Sequence, residues 1–151
     1  MTMPNLFTPF KSPWKVTNYL YMRLVTPYVL LLFALKKVVI GSDARFWGLP
    51  IVQKTQGSQI IIGHTTRFRS TKRSNPLVPY HPVFLSTRNA QAKITIGSNF
   101  SITGGSIIAE EHITIGDYVT IGANCRIFDT DFHPIDAEYR RLYPNLSLIH
   151  I

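Results

Sequence analysis

The stretch ITIGSNFSITGGSIIAEEHITIGDYVTIGANCRIF, Ile94 to Phe128, decides the fold. Its apolar residues form two series. One runs Ile94, Phe100, Ile107, Ile113, Val119, Cys125. The other, two residues later, runs Ile96, Ile102, Ala109, Ile115, Ile121, Ile127. Every step is six residues except the one across TGGSI, where both series slip by one. A slip shared by both is a single residue inserted in one turn, which Gly104 and Gly105 ease. Residues two apart face the same way in an extended chain, so each pair points inward and the rest of the hexad turns a corner. Gly97, Gly116 and Gly122 follow the second apolar residue, where a positive φ or a tight corner is expected. Hexads of this kind close a triangular coil whose turns stack as parallel strands. The expected fold is all-β, a parallel β-helix of hexapeptide repeats.

Upstream, QIIIGHTTRF supplies Ile60, Ile62, Gly63 and Phe68, and HPVFLSTR supplies Val83 and Leu85. Between them RSTKRSNPLVPY breaks the period and reads as an excursion loop. Further upstream lies the one long apolar stretch, TNYLYMRLVTPYVLLLFALKKVVIG. Its uninterrupted heart, Val29 to Leu35, is closed by Lys36 and Lys37 and falls short of the roughly 20 residues a membrane span needs. No cleavage site of a secretory signal follows it. Pro27 is expected to kink or start a helix. With Trp14, Tyr19, Tyr21, Tyr28 and basic flanks, residues 1–45 read as an N-terminal amphipathic helical segment lying on a membrane surface. The alternative is a helix packed on its own domain or on a neighbouring subunit. The β-helix domain is expected over 46–145.

Charge is divided along the chain. Met1 to Lys93 holds thirteen Lys or Arg and one acid, Asp43, whereas the remainder holds three Arg and seven acids. A basic half implies an anionic partner; lipid headgroups or a phosphorylated ligand are expected here, and nucleic acid is not. The one cysteine, Cys125, excludes an intrachain disulfide and a cysteine metal cluster. It falls in the inward series and is expected to be a small core residue.

After Ile127 the repeat ends in Asp129, Asp131 and His133, followed by Pro134, which biases His133 toward extended geometry. The hexads resemble the left-handed β-helix acyltransferases, and IGANCRIFDTDFHPID is similar to the active-site segment of their sugar O-acetyltransferase branch, the maltose and galactoside acetyltransferases. The resemblance implies a left-handed coil, a homotrimer and acetyl-CoA as co-substrate. It implies a sugar or surface-polysaccharide intermediate as acceptor, His133 as general base, and Asp131 or Asp129 as the carboxylate that orients it. An imidazole suits the task because it exchanges a proton near neutral pH. Asp129 as a turn cap is the structural alternative, and His133 as an ordinary loop histidine is another. The related γ-type carbonic anhydrases carry three histidines on this coil. No such set occurs here, and no metal is expected.

An asparagine that contacts acceptor in the maltose and galactoside branch would fall near ITGGS, where this chain has Thr103, Gly104 and Ser106. Thr103 and Ser106 are therefore candidate acceptor contacts. His81, between prolines, and Arg73, in the basic loop with Arg67, Arg69 and Lys72, are candidates whose alternatives are a structural histidine and a solvated loop. His64 and His112 read as exposed and structural. The expected location is cytoplasmic, on the inner face of the cytoplasmic membrane. A non-catalytic β-helix scaffold is the competing function. Finally, LSLIHI, residues 146–151, has a codon spelling matching a sequencing-library transposon end. It is expected to be non-native, with His150 unassigned. The natural chain is expected to continue with coils that help bind coenzyme A, leaving this piece inactive by itself.

Overall fold

The computed structural model describes residues 12–133 and 135–142. The segment 146–151, and the ends of the two expected domains at 1–11 and 143–145, lie outside the described residues. Twelve short strands make four turns of a coil. The first turn is β1 (Val39–Ile40), β2 (Arg45–Trp47) and β3 (Ile51–Lys54); the second is β4 (Gln59–Ile62), β5 (Arg67–Arg69) and β6 (Phe84–Thr87). The third is β7 (Lys93–Ile96), β8 (Ser101–Thr103) and β9 (Ser106–Ala109); the fourth is β10 (His112–Ile115), β11 (Thr120–Ile121) and β12 (Arg126–Phe128). Each turn gives one strand to each of three parallel four-stranded sheets. Sheet A is β1-β4-β7-β10, sheet B is β11-β8-β5-β2 and sheet C is β12-β9-β6-β3. The chain is thus mostly β, with the three-sheeted architecture compatible with a parallel β-helix.

Register stacks like on like. Ile62 lies over Ile96 and Ile96 over Ile115; Phe68 over Ile102 and Ile102 over Ile121; Leu85 over Ile107 and Ile107 over Ile127. Each ladder sends an apolar side chain into the interior, and the core is these ladders together. Of the two inward series, Ile94 to Ile121 are buried or nearly so, and Val119 and Ile127 are partly buried. Cys125 departs from expectation, for it is exposed. Register pairs Ile127, not Cys125, with Ile107, so Cys125 falls in the turn before β12 and outside the ladder.

The corners also differ from expectation. None of Gly97, Gly116 and Gly122 has a positive φ. That conformation falls two residues on, at Asn99 (φ 57°), Tyr118 (φ 60°) and Asn124 (φ 63°). The glycines are required for another reason, close approach. A Cβ on Gly63 would lie 2.7 Å from the Gly97 carbonyl carbon, and one on Gly97 would lie 2.6 Å from that of Gly116. Successive coils touch backbone to backbone at this corner. Gly104 (φ 57°) and Gly105 (φ 82°) do hold the left-handed conformation expected at the slip.

The N-terminal helix runs Pro13–Leu35, continuously through Pro27. It is 23 residues and, by length and composition alone, long and apolar enough to cross a membrane, which the short heart Val29–Leu35 does not suggest. One face closes the open end of the first coil. Met22, Val29 and Phe33 are buried there, and the Phe46 N–H donates to Thr26 Oγ1 (3.1 Å). Phe33 meets Phe46 edge-on at 5.3 Å, Phe46 stacks on Phe68 at 5.1 Å, and Phe68 tilts over Phe100 at 5.8 Å, so an aromatic column runs from helix into coil. The helix ends in a Schellman motif. Lys37 takes φ 54°, its N–H donates to Ala34, and the Val38 N–H donates to Phe33 (2.9 Å). This turns the chain straight into β1, so the coil opens at Val39 and not at Phe46.

Chemically identical corners should therefore respond differently to a methyl group. Gly97→Ala should cost about 1–3 kcal/mol by overpacking. A Cβ on Gly116 meets nothing within 4 Å, so Gly116→Ala should be neutral or stabilise by about 0.4–1 kcal/mol. Urea midpoints of the two variants check this, and equal losses would refute the close-approach explanation.

Candidate functional site

The corner between sheets C and A is knitted from three coils. Asp129 follows β12, one residue beyond the Phe128–Ile108 register pair. Its carboxylate reaches the turn of the coil before and accepts the N–H groups of Glu110 (2.6 Å), Glu111 (3.0 Å) and His112 (2.8 Å). Three otherwise unpaired turn donors thus share one side chain. Glu110 in turn accepts from Arg88 Nε at 2.9 Å. The Arg88 guanidinium lies over the Phe132 ring at 5.5 Å, and Phe128 contacts that ring at 5.5 Å. Phe132 is itself left-handed (φ 60°), with its N–H donating to Thr130 Oγ1 (3.2 Å). A bulky residue in that conformation needs such support. The pinned Phe132 sets the direction in which His133 leaves the corner.

His133 and Asp131 are both exposed. Among the described residues, no hydrogen bond or ion pair joins His133 to Asp129 or Asp131. Asp129 performs the capping role its alternative reading described, with both oxygens engaged. To orient His133 it would have to surrender a cap, whereas Asp131 has no competing bond.

The other candidates gather elsewhere, at the corner between sheets B and C under the excursion loop. Thr103 is 4% exposed, and its Oγ1 accepts from Asn75 Nδ2 at 3.0 Å. Ser106 is also buried. The Tyr80 N–H donates to Asn124 Oδ1 (2.8 Å), which ties the loop to the fourth coil. His81 is half-buried, with Nδ1 donating to the Pro82 carbonyl at 2.7 Å. Arg73 is exposed, and its carbonyl accepts from Asn18 Nδ2 of the helix (2.9 Å). Thr103, Ser106 and His81 therefore share one corner and His133 another. The asparagines that clamp the loop, Asn18, Asn75 and Asn124, carry no signal in the sequence that marks them as such.

The corner between sheets A and B is structural. His64 Nδ1 accepts the Ser42 N–H (3.1 Å), the His64 N–H donates to Ser98 Oγ (3.1 Å), and the Ser98 N–H donates to Asp117 Oδ1 (2.6 Å). One side chain per coil thus reaches the backbone of the coil before. His112 is exposed beside Thr114. On sheet B, Arg45 lies over Arg67, and Arg69 packs its guanidinium on the Trp47 ring at 5.2 Å. Burial first, and then Arg67, lower the Arg69 pKa from its ordinary value. Among the described residues no three His, Cys, Asp or Glu side chains converge as metal ligands.

No family model matches the chain, and no curated protein or solved structure matches it either.

The two acids should separate on mutation. Asp129→Ala should cost about 1–3 kcal/mol, since it strands N–H donors, and Asp131→Ala should stay within about 0.5 kcal/mol. Denaturant titration checks the pair. A stable Asp129→Ala would remove the capping role.

Proposed function

We propose that the chain belongs to a left-handed β-helix O-acetyltransferase that moves an acetyl group from acetyl-CoA to a hydroxyl of a sugar or surface-polysaccharide intermediate. The observation that carries the reading is where the repeat ends. A stacked coil continues through β12, and the next residues present an exposed, unpaired His133 from a corner braced by Asp129, Arg88 and Phe132. A base must be able to reach an incoming hydroxyl, and His133 is exposed.

In this mechanism the acceptor hydroxyl oxygen attacks the thioester carbonyl carbon while His133 takes the hydroxyl proton. The tetrahedral oxyanion is met by a backbone N–H. Its collapse breaks the carbon–sulfur bond, and the imidazolium returns the proton to the departing thiolate. The products are an acetyl ester and free coenzyme A. Asp131 orients the ring and stabilises the imidazolium, while Asp129 holds the corner still. No metal takes part in this scheme. Thr103, Ser106, His81 and Arg73 are proposed acceptor contacts contributed from a different corner. A homotrimer supports that arrangement, since a second copy can bring its loop corner to the first copy's His133. The proposed setting is the cytoplasm, at the inner membrane face.

A second reading, a non-catalytic β-helix scaffold, is favoured by one observation: among the described residues, His133 has no orienting carboxylate in contact. Turnover separates the two. In a chain extended with further coils, His133→Ala should lower kcat roughly 100-fold or more, the usual worth of a general base, with little change in coenzyme A binding. Cys125→Ala should leave kcat intact. A folded His133→Ala variant that turns over like wild type would remove the base, and coenzyme A binding without acetyl transfer would favour the scaffold.

A further inference from the structure

The N-terminal helix is apolar on two opposite sides, and only one of them is covered. The covered side, Met22, Val29 and Phe33, closes the coil. At 3.6 residues per turn, Leu20, Leu24, Leu31 and Leu35 form a stripe on the opposite side. They are 56%, 76%, 56% and 71% exposed. Trp14, Tyr21 and Tyr28 border it, and all three are exposed. A helix apolar all round is expected to be buried all round.

The charge of the whole segment is of one sign and points to what covers the stripe. Residues 12–42 contain Lys15, Arg23, Lys36 and Lys37 and no acid. Arg23 also lines, with Arg45, Tyr19 and Asp43, a cavity of about 610 Å³ between helix and first coil, whose lining holds two arginines and one acid. A second copy seated on the stripe would set these cations against their own kind. An anionic lipid surface would attract this cationic segment, bury the leucines and place the bordering aromatic rings at headgroup level.

We infer that this face docks the protein flat on an anionic bilayer, as a monotopic contact and not a span. The inference is carried by the helix alone and is independent of the acetyl-transfer reading. Although the helix is long and apolar enough to cross, crossing would strip Phe33 from Phe46, which is fully buried, and break the Thr26–Phe46 hydrogen bond. The coil end would lose its cover. The helix therefore lies between coil and lipid, with the sheets beneath it on the aqueous side.

The test is vesicle flotation of the full chain synthesised cell-free with preformed vesicles. Wild type should float with phosphatidylglycerol-containing vesicles, not with phosphatidylcholine alone, and high salt or alkaline carbonate should release it. Leu24→Asp with Leu31→Asp, which leaves the covered side untouched, should cut flotation about tenfold while circular dichroism of the soluble fraction retains the β signal. Carbonate-resistant flotation would establish a span and overturn the inference. So would a double variant that floats like wild type, a wild-type chain that stays soluble or pellets beside anionic vesicles, or self-association abolished by the same substitutions without any vesicle binding.

Discussion

Everything in this molecule depends on how closely one coil can sit beneath the last. Parallel strands pair at roughly 4.8 Å, and the corners must keep that spacing where there is no ladder to hold it. The corner between sheets A and B meets the demand with backbone against backbone, Gly63 over Gly97 over Gly116. Side chains then satisfy the N–H groups left at the bend: His64 for Ser42, Ser98 for His64, Asp117 for Ser98. The corner between sheets C and A uses Asp129 on Glu110, Glu111 and His112 in the same way. Placement of His133 is a consequence of this stacking, because the chain leaves the last braced corner through Phe132.

The interior was legible because a six-residue period leaves little choice about which residues face inward. Ile94, Ile96, Phe100, Ile102, Ile107 and Ala109 are all buried. The one-residue slip pointed to the Gly104–Gly105 turn because two series moved together. What failed has a common cause. A sequence period specifies direction within a coil, but not what lies above or below it. Cys125 continues the six-residue series, yet Ile127 takes the place opposite Ile107 and Cys125 is exposed in the turn before it. Gly97 looks like a positive-φ position, yet the left-handed residue is Asn99 and the glycine answers to the neighbouring coil. Asp129 and Asp131 are the same residue type two positions apart. Only the turn donors of the preceding coil distinguish the cap from the free acid.

The N-terminal helix shows the same limit. Read as amphipathic, the segment offered a single apolar side, so packing on the coil and lying on a membrane were alternatives. The structure buries Met22, Val29 and Phe33 while leaving Leu24 and Leu31 outside, which makes the two compatible. Its ending was also hidden, since the residue in the left-handed position of the Schellman motif is Lys37 and not glycine. Apolar cover at the first coil protects strand edges that a β-helix otherwise leaves open to pairing with another chain.

The proposed reaction is direct acetyl transfer to a hydroxyl by a base at the end of the repeat. Single-turnover mass spectrometry with isotopically labelled acetyl-CoA and a panel of nucleotide-linked and lipid-linked sugars tests it most directly, reading acceptor and intact protein together. Direct transfer puts label in an alkali-labile ester on the acceptor and none on the protein. Label on Cys125 during turnover, or a folded chain extended with further coils that transfers no label to any hydroxyl, would contradict it.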